Sequence, residues 1–198
     1  MKSPKEKMIA GIPYIDSDGK LFRERQYVKQ ELKRFNDSDP KHIKFRKQII
    51  QKLFKATGAR FFVEPPFHCD YGYNISIGEN FYSNYNCTIL DGAAVTIGDN
   101  VLFGPNVSLF TAGHPIHFEA RNLGWEFTAP ITIEDNVWIG GQTVVNPGVH
   151  IGENSVIGSG SVVTRDIPPN VVAAGNPCRV IREISDMDRI DYEQETAF

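Results

Sequence analysis

The chain of 198 residues is 41% hydrophobic and 23% charged with a formal net charge of -3, the balance of a soluble globular protein long enough to bury a sizeable core. No apolar stretch approaches the roughly 18 residues of a membrane span, and the lysine-rich start lacks a signal peptide's apolar segment, so a cytoplasmic protein without a membrane partner is expected. Cys69, Cys87 and Cys178 are odd in number, widely spaced and without a CxxC, which argues against a disulfide framework or a zinc knuckle and for buried or incidental thiols.

Residues 1–60 read as a helical segment. They carry 16 Lys and Arg against 7 Asp and Glu, and no lysine follows Lys55. Helices are predicted from Lys5 to Ala10, from Leu21 to Phe35 and from Lys41 to Ala56, with Gly11 and Gly58 as stops and Asn36-Asp37-Ser38-Asp39-Pro40 as a break and restart. Phe45, Ile49, Ile50, Leu53 and Phe54 form an apolar stripe at helical spacing, so the segment must pack on something. Its basic residues are interleaved with acids as on a solvated helix face, which speaks against nucleic acid as a partner.

From residue 61 to about 184 the period changes. Ile133, Ile139, Val145, Ile151, Ile157 and Val163 lie six positions apart, and Val137, Thr143, Val149, Ser155 and Ser161 follow the first five by four. A helix would show apolar residues every three to four positions and a hairpin sheet would alternate strictly; a six-residue repeat fits short strands joined by tight corners, coiled into a parallel β-helix. Ile97, Phe103 and Leu109 keep the register, with Val101 and Val107 at the small positions, and Ile77 to Val95 keep it more roughly. A coil exposes its end strands, and the helical segment is the natural cover. Between Leu109 and Ile133 the beat falls on Pro115, Arg121 and Phe127, which fill it poorly, so residues from about 113 to 130 read as a loop thrown out of the coil from Gly113-His114-Pro115. An ordered excursion of that length usually carries a site.

Residues 61–198 hold 5 basic and 17 acidic side chains, the cations being Arg121, Arg165, Arg179, Arg182 and Arg189. Arg165, Arg179 and Arg182 fall near the end of the coil, beside Thr164 and the turn Gly175-Asn176-Pro177-Cys178. Planar guanidinium groups suit a phosphorylated ligand, but pairing with Asp166, Glu183 or Asp186 is an equal alternative from spacing alone. Residues 185–198 form a short tail, acidic and polar from Asp186 to Phe198.

Several separated blocks carry a family resemblance: Glu6-Lys7-Met8-Ile9-Ala10-Gly11, Asp70-Tyr71-Gly72-Tyr73-Asn74-Ile75, Thr111-Ala112-Gly113-His114-Pro115, Asn136-Val137-Trp138-Ile139-Gly140-Gly141, Asn146-Pro147-Gly148-Val149, Ile157-Gly158-Ser159-Gly160-Ser161-Val162-Val163-Thr164 and Ala174-Gly175-Asn176-Pro177-Cys178-Arg179-Val180-Ile181. Over residues 5 to about 184 the chain resembles the hexapeptide-repeat O-acetyltransferases, within them most nearly the maltose and galactoside acetyltransferases. The resemblance implies a left-handed parallel β-helix, a homotrimer with sites in the clefts between coils, and acetyl transfer from acetyl-CoA to a sugar hydroxyl, with no resident metal. It assigns His114 as the catalytic histidine, Asp16, Asp70, Tyr82 and Asn84 to the acceptor, and Trp138, Gly141, Ser159, Thr164, Arg165, Arg179 and Arg182 to CoA. Two departures stand out. A galactoside enzyme shows two adjacent carboxylates where this chain reads Asp91-Gly92, and Gly141 replaces a serine seen in some relatives, leaving only a main-chain amide to donate.

The implied chemistry asks for one good base. A sugar hydroxyl is too weak an acid to attack a thioester at neutral pH, whereas an imidazole with its ordinary pKa of about 6.5 can take the proton as the oxygen attacks and return it to the departing thiolate. The tetrahedral oxyanion then needs a donor, either Asn84 or a main-chain N–H of the coil. Other readings use the same residues differently. A hexapeptide-coil hydrase would hold zinc on His68, His114 and His117 between subunits but would leave Trp138 and the arginines idle. A non-catalytic scaffold would have no distinguished loop, and an acetyltransferase with a non-sugar acceptor would keep everything except the acceptor.

Overall fold

The computed structural model describes residues 2–190. The last part of the predicted tail, residues 191–198, lies outside the described residues. The six-residue beat faces inward: Ile133, Ile139, Val145, Ile151, Ile157 and Val163 are each at most 1% exposed, and Thr143, Ser155 and Ser161 beside them are fully buried. Each aliphatic side chain sealed this way contributes roughly 1.5–3 kcal/mol of transfer free energy.

Each turn of the chain gives one short strand to each of three parallel faces. The first face stacks Ala56–Thr57, Ile75–Ile77, Val95–Ile97, Ile131–Ile133 and His150–Ile151. The second stacks Phe61–Val63, Phe81–Ser83, Leu102–Phe103, Trp138–Ile139, Val156–Ile157 and Val171–Ala174, and Arg179–Glu183 returns antiparallel along the last of these. The third stacks Phe67–Cys69, Cys87–Leu90, Ser108–Phe110, Val144–Val145 and Val162–Val163. This is the parallel β-helix that the spacing predicts.

Register explains why the beat is rougher upstream. Ile133 pairs with Ile151, an interval of 18, whereas Ile77 pairs with Ile97, an interval of 20. The two extra residues sit in the corner after the third face, where Ile89 to Val95 takes six steps and Val145 to Val149 takes four. Ile97 pairs directly with Ile133, so the excursion between them adds 18 residues without shifting the stack.

The corner between the first and second faces is held by a ladder. Asn80, Asn100, Asn136, Asn154 and Asn170 have φ between 56° and 60°, a left-handed conformation that asparagine tolerates better than other side chains with a Cβ. Each donates through Nδ2 to the Oδ1 of the next, at 2.8, 3.1, 2.9 and 3.0 Å in order.

Helix α1 (Pro4–Ile9) starts on a capping box between Ser3 and Glu6, and helix α2 (Gly19–Asn36) starts on Asp18, whose carboxylate accepts from the amides of Lys20 and Leu21. Helix α3 (Ile43–Leu53) ends before the predicted Ala56, because Ala56–Thr57 already pairs with Ile75–Ile77 as the first strand of the coil. Val28, Leu32 and Phe35 of α2 and Ile49, Ile50 and Leu53 of α3 join the coil interior in one core, with Phe45 packed against it. Asn36 seals the open edge of the third face: its Nδ2 donates to the Phe67 carbonyl at 3.0 Å and its Oδ1 accepts from the Phe67 amide at 2.9 Å. All three cysteines are buried and unpaired, and burial pushes the Cys87 thiol up to about 12. Among the described residues, no helix is long and apolar enough to cross a membrane.

Candidate active site

The predicted site residues gather on two edges of the coil. At the edge after the third face, Asp70 follows Cys69, the excursion bearing His114 leaves after Phe110, and Thr164 and Arg165 follow Val163. The edge between the second and third faces carries Asn84, Gly141 and Ser159 at equivalent corners. Tyr82 and Trp138 point outward from the adjoining second face, both in register with Leu102, and Trp138 and Leu102 are 54% and 46% exposed.

The excursion is more ordered than a loop. Ala112–Gly113 leads out, helix α4 (Phe118–Asn122) turns the chain, and Trp125–Thr128 leads back antiparallel to it. Tyr14–Ile15 adds a third strand on the far side of Trp125–Thr128, with Tyr14 opposite Glu126 and Ile15 opposite Trp125. Thr128 Oγ1 donates to the Met8 carbonyl at 2.6 Å, so the N-terminal segment is fastened to the excursion twice. Asp16 follows Tyr14–Ile15 directly, and its amide donates to the Gly124 carbonyl at 3.4 Å.

His114 is exposed, and its Nδ1 lies 3.1 Å from the Trp125 carbonyl oxygen. A carbonyl only accepts, so in the neutral ring this contact assigns the proton to Nδ1 and the lone pair to Nε2. Gly113 makes the approach possible: a Cβ there would stand 2.7 Å from the Phe127 ring.

Carboxylates crowd the same edge. Burial raises the Asp70 carboxyl above the ordinary range, opposed by Arg25 and Lys29. Asp91 is fully buried, accepting through Oδ1 from the amides of Asp70 at 3.0 Å and Tyr71 at 2.8 Å; burial pushes its carboxyl up to about 7, against the pull of the Tyr71 amide. Glu126 is half-buried and accepts from the Tyr14 hydroxyl at 2.6 Å. Burial raises its carboxyl, the Tyr14 bond works the other way, and Asp16 and His114 contribute with opposite signs. Arg25 Nη1 donates to the Tyr71 hydroxyl at 2.7 Å and its Nη2 to the Asp16 carbonyl at 3.3 Å, tying Asp16 to the corner that carries Asp70 and Tyr71.

On the other edge, Asn84 Oδ1 accepts from the Tyr85 amide at 2.8 Å, and its Nδ2 has no partner among the described residues. Arg179 Nη1 donates to the Cys178 carbonyl at 2.7 Å, and Arg182 forms an ion pair with Asp188 at 2.6 Å. None of the carboxylates that spacing suggested, Asp166, Glu183 or Asp186, is the partner; Asp166 accepts from the His150 amide instead. The three histidines of the hydrase reading are separately occupied or separately placed: His114 meets Trp125, His117 lies 3.8 Å from Glu119, and His68 faces outward on the third face. Among the described residues, no three His, Cys, Asp or Glu side chains are grouped to hold a metal ion.

Four residues of the His114 edge escape sequence reasoning: Tyr14, Arg25, Tyr71 and Glu126. A usable signal lay in the alternation of Trp125-Glu126-Phe127-Thr128, which reads as a strand inside the supposed loop.

A repeated six-residue strand-and-corner unit defines a hexapeptide-repeat coil, and the family models place it among the transferases. The bacterial transferase hexapeptide (six repeats) model matches residues 130–165, and the maltose acetyltransferase hexapeptide capping motif matches residues 7–58. Galactoside O-acetyltransferase of Escherichia coli (strain K12) is 52% identical over 187 residues, 94% of this chain and 92% of that protein. A solved galactoside acetyltransferase in complex with coenzyme A has a TM-score of 0.93 at 51% identity, covering 97% of this chain and 96% of the other. A maltose O-acetyltransferase from Clostridium difficile 630 has a TM-score of 0.92 at 49% identity, covering 93% and 98%. The chain belongs to the maltose and galactoside O-acetyltransferase family.

Proposed function

We propose that His114 is the general base of this acetyl-CoA-dependent sugar O-acetyltransferase, acting in the cytoplasm on a maltose, glucose or galactoside type of acceptor. The observation that carries the assignment is the Nδ1 contact with the Trp125 carbonyl, which in the neutral ring turns the Nε2 lone pair away from that contact on an exposed side chain. Nε2 takes the hydroxyl proton as the sugar oxygen bonds to the thioester carbonyl carbon, whose π pair moves onto oxygen. Collapse of the tetrahedral intermediate breaks the carbon–sulfur bond, and the imidazolium returns its proton to the CoA thiolate. No acyl-enzyme is required, in keeping with three cysteines that are all buried.

Asn84 Nδ2, left free by its own Oδ1 contact, is the donor best suited to the oxyanion. Asp16, Asp70 and Tyr82 bind the acceptor, and Trp138, Gly141, Ser159, Thr164, Arg165, Arg179 and Arg182 bind CoA. Both sets are divided between two edges of one chain, which supports a homotrimer in which the edge of one copy meets the opposite edge of the next and three equivalent clefts close the ring.

His114→Ala tests the base. Acetyl transfer is expected to fall by ~100-fold or more with CoA affinity by calorimetry nearly unchanged, and unimpaired turnover would remove the mechanism.

A further inference from the structure

Glu126 has no task in that mechanism, although it stands beside the base. It follows the residue whose carbonyl holds His114, and Asp16, His114 and Asp70 are all near enough to act on its charge. Only Oε2 is engaged, by the Tyr14 hydroxyl; Oε1 has no partner among the described residues and is not sealed from solvent. A half-buried carboxylate anchored through one oxygen thus offers the other at the His114 edge.

The plain alternative is that Glu126 fastens the N-terminal strand. That fastening is already supplied by the Tyr14–Ile15 pairing and by the bond from Thr128 to Met8. Holding a carboxylate partly out of water for a third fastening costs desolvation that an apolar contact would avoid. Position 92 adds a second argument. A side chain there would start 2.8 Å from Thr128 Cγ2 and 3.8 Å from the Tyr14 hydroxyl oxygen. Thr128 cannot yield, being 4% exposed and pinned to Met8. The space into which residue 92 would project is therefore closed, and the negative charge beside Tyr14 comes from Glu126 on the neighbouring strand.

We propose that Glu126, positioned by Tyr14, is an acceptor-binding carboxylate that receives a second hydroxyl of the sugar and so helps set which sugars are used. The proposal rests on the sugar O-acetyltransferase reading. A carboxylate can accept from more than one hydroxyl, and a site built to bond a hydroxyl discriminates strongly against an analogue that lacks it.

The test compares wild type, Glu126→Gln, Glu126→Asp and Tyr14→Phe in a thiol-release assay with acetyl-CoA, using glucose, maltose, a galactoside and a set of monodeoxyglucoses. Glu126→Gln is expected to raise acceptor KM by ~10- to 100-fold, with acetyl-CoA KM and thermal midpoint unchanged. Glu126→Asp should recover part of that loss, Tyr14→Phe should show a smaller rise for the same sugars, and one deoxyglucose should be equally poor with wild type and Glu126→Gln. Unchanged acceptor KM in Glu126→Gln would overturn the proposal. So would a parallel loss of kcat, both KM values and thermal midpoint, which is the signature of a fastening role. A wild-type protein that acetylates none of the sugars would instead overturn the sugar reading, and this inference with it.

Discussion

Replacing Asn136 by alanine strikes the corner ladder at its centre and separates two contributions that the fold combines. Asn136 has φ 60°, accepts from Asn100 at 3.1 Å and donates to Asn154 at 2.9 Å. An alanine forced into the left-handed region costs ~1–2 kcal/mol. The two lost side-chain bonds are exposed, so each contributes near the lower end of the usual range, ~0.5 kcal/mol. The sum is a loss of ~2–3 kcal/mol. Asn136→Gly loses the same bonds without the steric penalty and should regain ~1 kcal/mol of it, less the extra entropy of glycine in the unfolded chain. Urea unfolding at one matched protomer concentration measures both, since any association would otherwise shift the midpoints. Equal losses for the alanine and glycine variants would refute the backbone argument, and a loss under ~0.5 kcal/mol for both would refute the ladder as a stabilising element.

Arg179→Ala and Arg182→Ala are expected to weaken CoA more than dephospho-CoA in a calorimetric titration, and equal weakening of both ligands would show that neither arginine reads the 3'-phosphate. Because Arg182 is held by Asp188, Asp188→Asn should tighten CoA by freeing the guanidinium; weaker binding would mean that the pair presents Arg182 in its binding position. Asp91 provides a pH test. Its folded carboxyl lies above the ordinary aspartate range, so its contribution to stability is present below about pH 4 and is lost as pH rises through about 7. Thermal midpoints of wild type should therefore fall relative to Asp91→Asn between pH 4 and 8, and a constant difference would contradict a neutral buried carboxyl.

The inner positions of the coil were legible because a narrow interior accepts only aliphatic or small side chains at each turn, and a period of six has no competing explanation. The corners were not. The two extra residues of the lower turns fall in Asp70–Asn74 and Asp91–Ala94, where Tyr71, Asp91 and Ala93 are buried without keeping the six-residue period, so Ile77 to Val95 looked irregular. Asn80, Asn100, Asn136, Asn154 and Asn170 resembled filler between beats, because a ladder is visible only once residues 16 to 36 apart are stacked. His114 could be found from its place at the break in the beat. Glu126 could not, since the residue that fixes it, Tyr14, is 112 positions away on a strand of two residues.

The same topology explains how a rigid solenoid can hold His114 on an insertion. The excursion leaves and re-enters at adjacent points: the Ala129 amide donates to the Thr111 carbonyl at 2.8 Å, and the Gly98 amide donates to Ile133 at 2.9 Å as if nothing intervened. The coil is therefore indifferent to what the excursion contains, and it cannot by itself orient His114. Orientation comes from Trp125–Thr128, which is fixed on one side by Ala112–Gly113 and on the other by Tyr14–Ile15. The N-terminal segment consequently has two roles. Its helices close the open end of the core, and its strand supplies Tyr14, with Asp16 directly after it, while bracing the hairpin that bears His114. A change that loosens α1 or α2 from the coil should then reach Asp16 and Glu126 first, while the row around Trp138, three strands along the second face from the Phe61–Val63 strand beside Phe35 of α2, keeps its geometry.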